Sequence, residues 1–146
     1  MRAVFVNNRA TAESFVSDLP WAAIQITDPG GQWPELSTAR RRGVLQLRFP
    51  DRDAPDEAFP EPTLFSETQA SEILDFVQEH QARIVRLLVH CEEGANRSAA
   101  VAAALTRVFL PDADWGQFFE RRSPNILVFG RLMTEAQRRG LFKAAE

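Results

Sequence analysis

The single cysteine of this chain, Cys91, stands in the segment His90-Cys91-Glu92-Glu93-Gly94-Ala95-Asn96-Arg97-Ser98. A thiol with a glycine three positions on and an arginine six positions on has the parts for nucleophilic chemistry on an anion. The thiolate, not the thiol, is the nucleophile, and positive potential nearby is what keeps it charged. A short loop entering a helix supplies that potential, because successive main-chain N–H groups curl into an anion-binding nest and the helix dipole adds to it. Here the nest would be built from the N–H groups of Glu92, Glu93, Gly94, Ala95, Asn96 and Arg97. Arg97 adds a planar fork that can grip two oxygens of a tetrahedral oxyanion and follow them into a transition state. A cation at the start of a helix is otherwise unfavourable unless an anion lies there. Ser98 can donate a hydrogen bond to the sulfur and make it a better leaving group in a second step. His90 is read as a support that holds the loop by hydrogen bonds, with direct proton transfer the lesser alternative. A lone cysteine is most often a small buried hydrophobe, but an inert one needs neither the glycine loop nor the spaced arginine.

Such a loop needs a strand to bring it in and a helix to carry it away. Ile84-Val85-Arg86-Leu87-Leu88-Val89 reads as a buried strand, and Ser98 to Leu105 as a helix with almost no polar surface, closed by Pro111. Earlier in the chain, strands are expected at Ala3–Val6, Trp21–Ile26 and Val44–Phe49, with a short helix or irregular turn over Glu13–Leu19. Asp28-Pro29-Gly30-Gly31 is a turn by composition. Ser66 and Gln69 fit a capping box that opens a helix reaching about His80, which caps its last turn. Asp112 is the expected cap of a short helix carrying Trp115, Phe118 and Phe119, and Asn125 that of a last helix. Alternating strands and helices with buried strands predict an α/β fold, a mainly parallel central sheet flanked by helices. The cysteine loop then falls at a strand's carboxyl end, where such sheets bind ligands.

Composition narrows the function. At 146 residues the chain is expected to be one domain, 1–146, with a substantial core. The net charge of −3 gives no general attraction to nucleic acid or to an anionic membrane. One cysteine excludes an internal disulfide framework and suits a reducing compartment. Neither a bilayer-length apolar run nor a secretory leader is visible, so the expected location is cytoplasmic. His80 and His90 lack the further ligands a metal site needs, so no metal and no cofactor is expected.

The Cys-x5-Arg-Ser loop, preceded by His and carrying Gly three residues after the cysteine, resembles the phosphate-binding loop of the cysteine-dependent protein tyrosine phosphatases. It looks most like their small dual-specificity-like branch, compact bacterial members included. The likeness extends through the flanking strand and helix to Ser123-Pro124-Asn125, over about residues 44–139. It implies a phosphate-monoester hydrolase working through a cysteinyl-phosphate on Cys91, with Arg97 binding the phosphoryl group. It also implies a general acid, an aspartate, on the loop before the long helix. Asp51 is the position that matches, with Asp53 and Asp56 as alternatives. The implied substrate is a phosphorylated protein or a small phosphomonoester. An aromatic wall for phosphotyrosine would have to be Phe or Trp, since the chain has no tyrosine, and Trp21 and Trp33 can both be core. Glu92 and Glu93 would disfavour strongly acidic substrates; Arg40-Arg41-Arg42 would favour them if close to the mouth, and is otherwise a solvated turn. Two other classes stay open: a phosphate-recognition module without turnover, and a rhodanese-type sulfur transferase, whose loop also begins with cysteine.

Overall fold

Four parallel strands form the centre of the computed structural model, which describes residues 1–143; the last three positions of the expected 1–146 domain lie outside the described residues. The strands are β1 (Ala3–Asn7), β2 (Trp21–Thr27), β3 (Arg41–Arg48) and β4 (Arg86–His90), in the spatial order β1-β4-β2-β3. The helices are α1 (Arg9–Glu13), α2 (Glu67–His80), α3 (Arg97–Phe109) and α4 (Ile126–Arg138). An all-parallel sheet is stable only when both faces are covered, and every residue of β2 is buried. Alternate side chains of β2 divide between the faces. Ala22, Ile24 and Ile26 join the main core with Ile73 and Leu74 of α2, Val101 and Leu105 of α3, and Leu132 of α4. Trp21 and Ala23 pack instead with Ala12 of α1, Leu36 and Leu88.

The helices begin where side chains satisfy their free N–H groups. Ser66 Oγ accepts from the Gln69 N–H at 3.1 Å while Gln69 Oε1 accepts from the Ser66 N–H at 3.1 Å, so the expected capping box is complete. Asn125 Oδ1 accepts from the N–H groups of Leu127 (3.0 Å) and Val128 (3.2 Å) and starts α4. Helix α3 is buried from Arg97 to Thr106, and its alanines let it lie close to β1 and β4. Arg139 fastens α4 to α2 by donating to Asp75 Oδ1 (2.8 Å), Gln78 Oε1 (2.8 Å) and Ser71 Oγ (2.6 Å).

Several boundaries differ from expectation. The first helix lies at Arg9–Glu13 rather than Glu13–Leu19, because Asn8 Oδ1 accepts from the Thr11 N–H at 2.8 Å and starts it early. Strand β3 takes in Arg41 and Arg42, which read as a turn; the turn is made instead by Ala39 and Arg40, the latter at φ +61°. Gly43 allows this, since it pairs with Ala22 and a Cβ there would lie 2.6 Å from His80 Nε2. His80 itself donates from Nδ1 to the Phe76 carbonyl at 2.9 Å and packs on the Phe76 ring. Trp115–Phe119 is a 3-10 turn that follows Asp114, with no side-chain cap from Asp112.

Candidate active site

Strand β4 ends at His90, α3 starts at Arg97, and the residues between form a tight loop over the helix N-terminus. No peptide bond of the described chain is cis, so each N–H points opposite to the preceding carbonyl. The Glu92 carbonyl accepts from the Arg9 N–H (3.1 Å), the Gly94 carbonyl from Arg122 Nε (3.1 Å) and the Asn96 carbonyl from the Asn125 N–H (3.0 Å). The N–H groups of Glu93, Ala95 and Arg97 therefore turn away from these outer partners, toward the inside of the loop. The Gly94 N–H points inward too and meets Cys91 Sγ at 3.3 Å. Gly94 adopts φ +68°, and a Cβ there would lie 2.8 Å from the Asn8 nitrogen, so the loop closes against β1 only with glycine.

Cys91 is 3% exposed, and Ser98 Oγ lies 3.0 Å from its sulfur; toward a thiolate the hydroxyl is the donor. A cavity of about 300 Å³ opens over the loop, lined by Asp28, Asp51, Cys91, Glu92, Glu93, Asn96 and Arg97. A larger one, about 530 Å³, lies between β3 and the 33–38 segment, but among the described residues no cysteine, histidine or lysine lines it. Arg97 is 5% exposed, and its Nη1 donates to Asp28 Oδ1 (2.8 Å) and to the Phe49 carbonyl (2.9 Å). Among the described residues the Nε and Nη2 edge has no protein partner, and that edge can form a bidentate pair with an oxyanion.

Three aspartates were candidates for the acid, and the structure places them differently. Asp51 lines the Cys91 cavity; its Oδ2 accepts from Asn96 Nδ2 at 2.5 Å and its Oδ1 from Asn125 Nδ2 at 3.1 Å. Asp53 lines a neighbouring cavity of about 290 Å³ that shares Asp51 and Asn96 with the first. Asp56 serves its own loop: it accepts from the Phe59 N–H at 2.7 Å, which holds its carboxyl below the usual range, and pairs with Arg52 at 3.3 Å.

His90 is 2% exposed, and burial pushes its imidazole down to about 4, against the opposing pull of the Cys91 main chain. The neutral ring accepts at Nε2 from Gln25 Nε2 (3.1 Å), and Gln25 Oε1 in turn accepts from Gln46 Nε2 (3.0 Å). His90 thus fixes the end of β4 to β2 and β3.

Asp28, Asn125 and Arg9 serve the site without having been singled out for it. Asp28 could have been found, because it directly follows a central strand, where ligands of parallel sheets bind. The second use of Asn125 has no sequence signal, since its cap already accounts for the residue.

The backbone has known counterparts. The human tyrosine phosphatase-like serine/threonine/tyrosine-interacting protein is similar to it with a TM-score of 0.61 at 17% identity, over 96% of this chain and 94% of that one. A mouse putative dual specificity phosphatase, solved with zinc tungstate, gives 0.62 at 16% identity over 97% and 89%. PTPMT1, solved in complex with PI(5)P, gives 0.57 at 18% identity over 94% of each chain. The fold is that of the dual-specificity phosphatases. No family model matches the chain, and no curated protein matches it in sequence.

Proposed function

We propose that this protein is a cysteine-dependent phosphatase that hydrolyses phosphate monoesters through a phosphoryl group carried on Cys91. The observation that carries the reading is convergence on one cavity: a nucleophile, inward main-chain N–H groups, a buried arginine fork and a carboxyl group. The phosphoryl oxygens would sit against the N–H groups and the free edge of Arg97, which supply the positioning and charge stabilisation that this slow reaction needs. Cys91 Sγ attacks phosphorus in line with the ester oxygen, which departs with a proton from Asp51. In the second step a water, deprotonated by Asp51, attacks phosphorus, and the sulfur leaves as a thiolate with Ser98 donating to it. Phosphate is released, and no cofactor enters either step.

The substrate is read as a phosphorylated protein or a small phosphomonoester. Among the described residues no aromatic or aliphatic side chain lines the cavity, so its lining does not favour an aryl phosphate over an alkyl one. No helix of the described residues is long and apolar enough to cross a membrane, and the free thiol suits the cytoplasm. Hydrolysis of a chromogenic aryl phosphate tests the reading. The wild type should turn it over and Cys91→Ser should not. Equal signals from the two would leave a phosphate-recognition module, and sulfur transfer from thiosulfate would move the chain to the sulfur transferases.

A further inference from the structure

We propose that Asn125 and Asn96 together decide which oxygen of Asp51 carries the transferable proton, and that Asn96 is a positioning residue for it. The inference rests on Asp51 being the general acid. The orientation of the Asn125 amide is fixed by its other bonds. Its Oδ1 accepts two N–H groups at the start of α4, so its Nδ2 faces Asp51 Oδ1 (3.1 Å) and the Arg52 carbonyl (3.1 Å). Turning this amide over would set oxygen against oxygen at two places and leave two helix N–H groups unpaired. Asp51 Oδ1 therefore always meets a donor, and a proton on that oxygen would be opposed by it.

Asn96 is not bound in this way. Its Nδ2 donates to Asp51 Oδ2 at 2.5 Å, and among the described residues its Oδ1 has no hydrogen-bond partner. The amide can offer N–H to a carboxylate and, turned over, its oxygen to a carboxylic acid. Oδ2 is thus the oxygen whose neighbour suits both protonation states. The proton leaves from Oδ2 to the ester oxygen in the first step and returns to it from water in the second. The Asn96 main chain is held on both sides, its carbonyl accepting from the N–H groups of Asn125 (3.0 Å) and Ala100 (3.1 Å). Since Asn96 directly precedes Arg97, the acid is held in register with the phosphate loop rather than by its own loop.

A series of aryl phosphates of rising leaving-group basicity tests this, because the acid matters most when the leaving oxygen is poor. Asp51→Asn should lose about 100-fold in kcat/KM on the poorest leaving group and far less on the best. Asn96→Ala should steepen the same dependence, losing about tenfold on the poorest and under about twofold on the best, a fraction of the acid's whole effect. Asn96→Ser, whose hydroxyl can donate or accept, should fall between wild type and Asn96→Ala, and decides the matter if the alanine variant folds poorly. An equal loss across the series in both Asn96 variants, with Asp51→Asn behaving as stated, makes Asn96 merely structural and overturns the proposal alone. A flat series for Asp51→Asn removes the acid itself and with it both readings.

Discussion

Two loops at the carboxyl end of the sheet meet at the cavity, and they are built in opposite ways. The one after β4 is short and works through its main chain: its carbonyls are taken by the N–H groups of Arg9 and Asn125 and by Arg122 Nε, and its own N–H groups turn in as a consequence. The one after β3, residues 49–65, is mostly exposed, anchored at its ends by the edge-to-face pair Phe49–Phe65 at 4.8 Å. Its Asp51 carboxylate is held from far along the chain, by Asn96 and Asn125, which lie 45 and 74 positions away. On the proposed function, phosphate binding is thus prebuilt in main-chain N–H groups, whereas the acid is placed by side-chain bonds. Damage to the first loop should remove all activity. Damage to the second should remove only what depends on moving a proton.

The largest effect is expected from the phosphate loop. Arg97→Ala should lower kcat/KM about 10³-fold on every substrate, good and poor leaving groups alike, since it removes the donors to the transferring group. Next comes Asp51→Asn, whose loss of about 10²-fold should be confined to poor leaving groups. A uniform loss there would erase the contrast between the loops. Gly94→Ala should cost about 2–3 kcal/mol in chemical denaturation, because a positive φ and a contact 2.8 Å from the Asn8 nitrogen are both imposed; the same change at Gly30, where nothing lies within 4 Å of a Cβ, should cost less.

The smallest effect sharpens the role of His90. Its imidazole is depressed from 6.5 to about 4 in the fold. Between those values the unfolded chain takes up a proton that the folded chain does not, so stability falls as the pH drops through that window. The contribution lost between pH 7 and pH 5 is about 2 kcal/mol. Denaturation of the wild type should weaken by about that much more than His90→Gln over the same interval; parallel curves would show that His90 is not held neutral.

What could be read from the chain follows the same division. Local structure was legible: the Ser66 box and the Asn125 cap each depend on neighbours within a few positions, and the Cys91–Ser98 segment lies between a buried strand and a buried helix as the residues predict. The parallel sheet was legible too, because strands buried on both faces leave apolar runs. Less local features were not. Asn8 rather than Glu13 starts the first helix because a single side-chain bond outweighs weak helical periodicity. Arg41 and Arg42 lie in β3 because Gly43 fits under His80, an approach between residues 43 and 80 that no pattern announces. The bond from Asp28 to Arg97 spans 69 positions and joins two residues that each read well alone.

The most direct test of the account is to catch the intermediate. The protein is mixed with an excess of aryl phosphate, quenched in acid within the first turnovers, and mapped by mass spectrometry. A phosphoryl group on Cys91, formed together with a burst of about one equivalent of phenol, is the predicted result. Steady phenol release with Cys91 unmodified would contradict it.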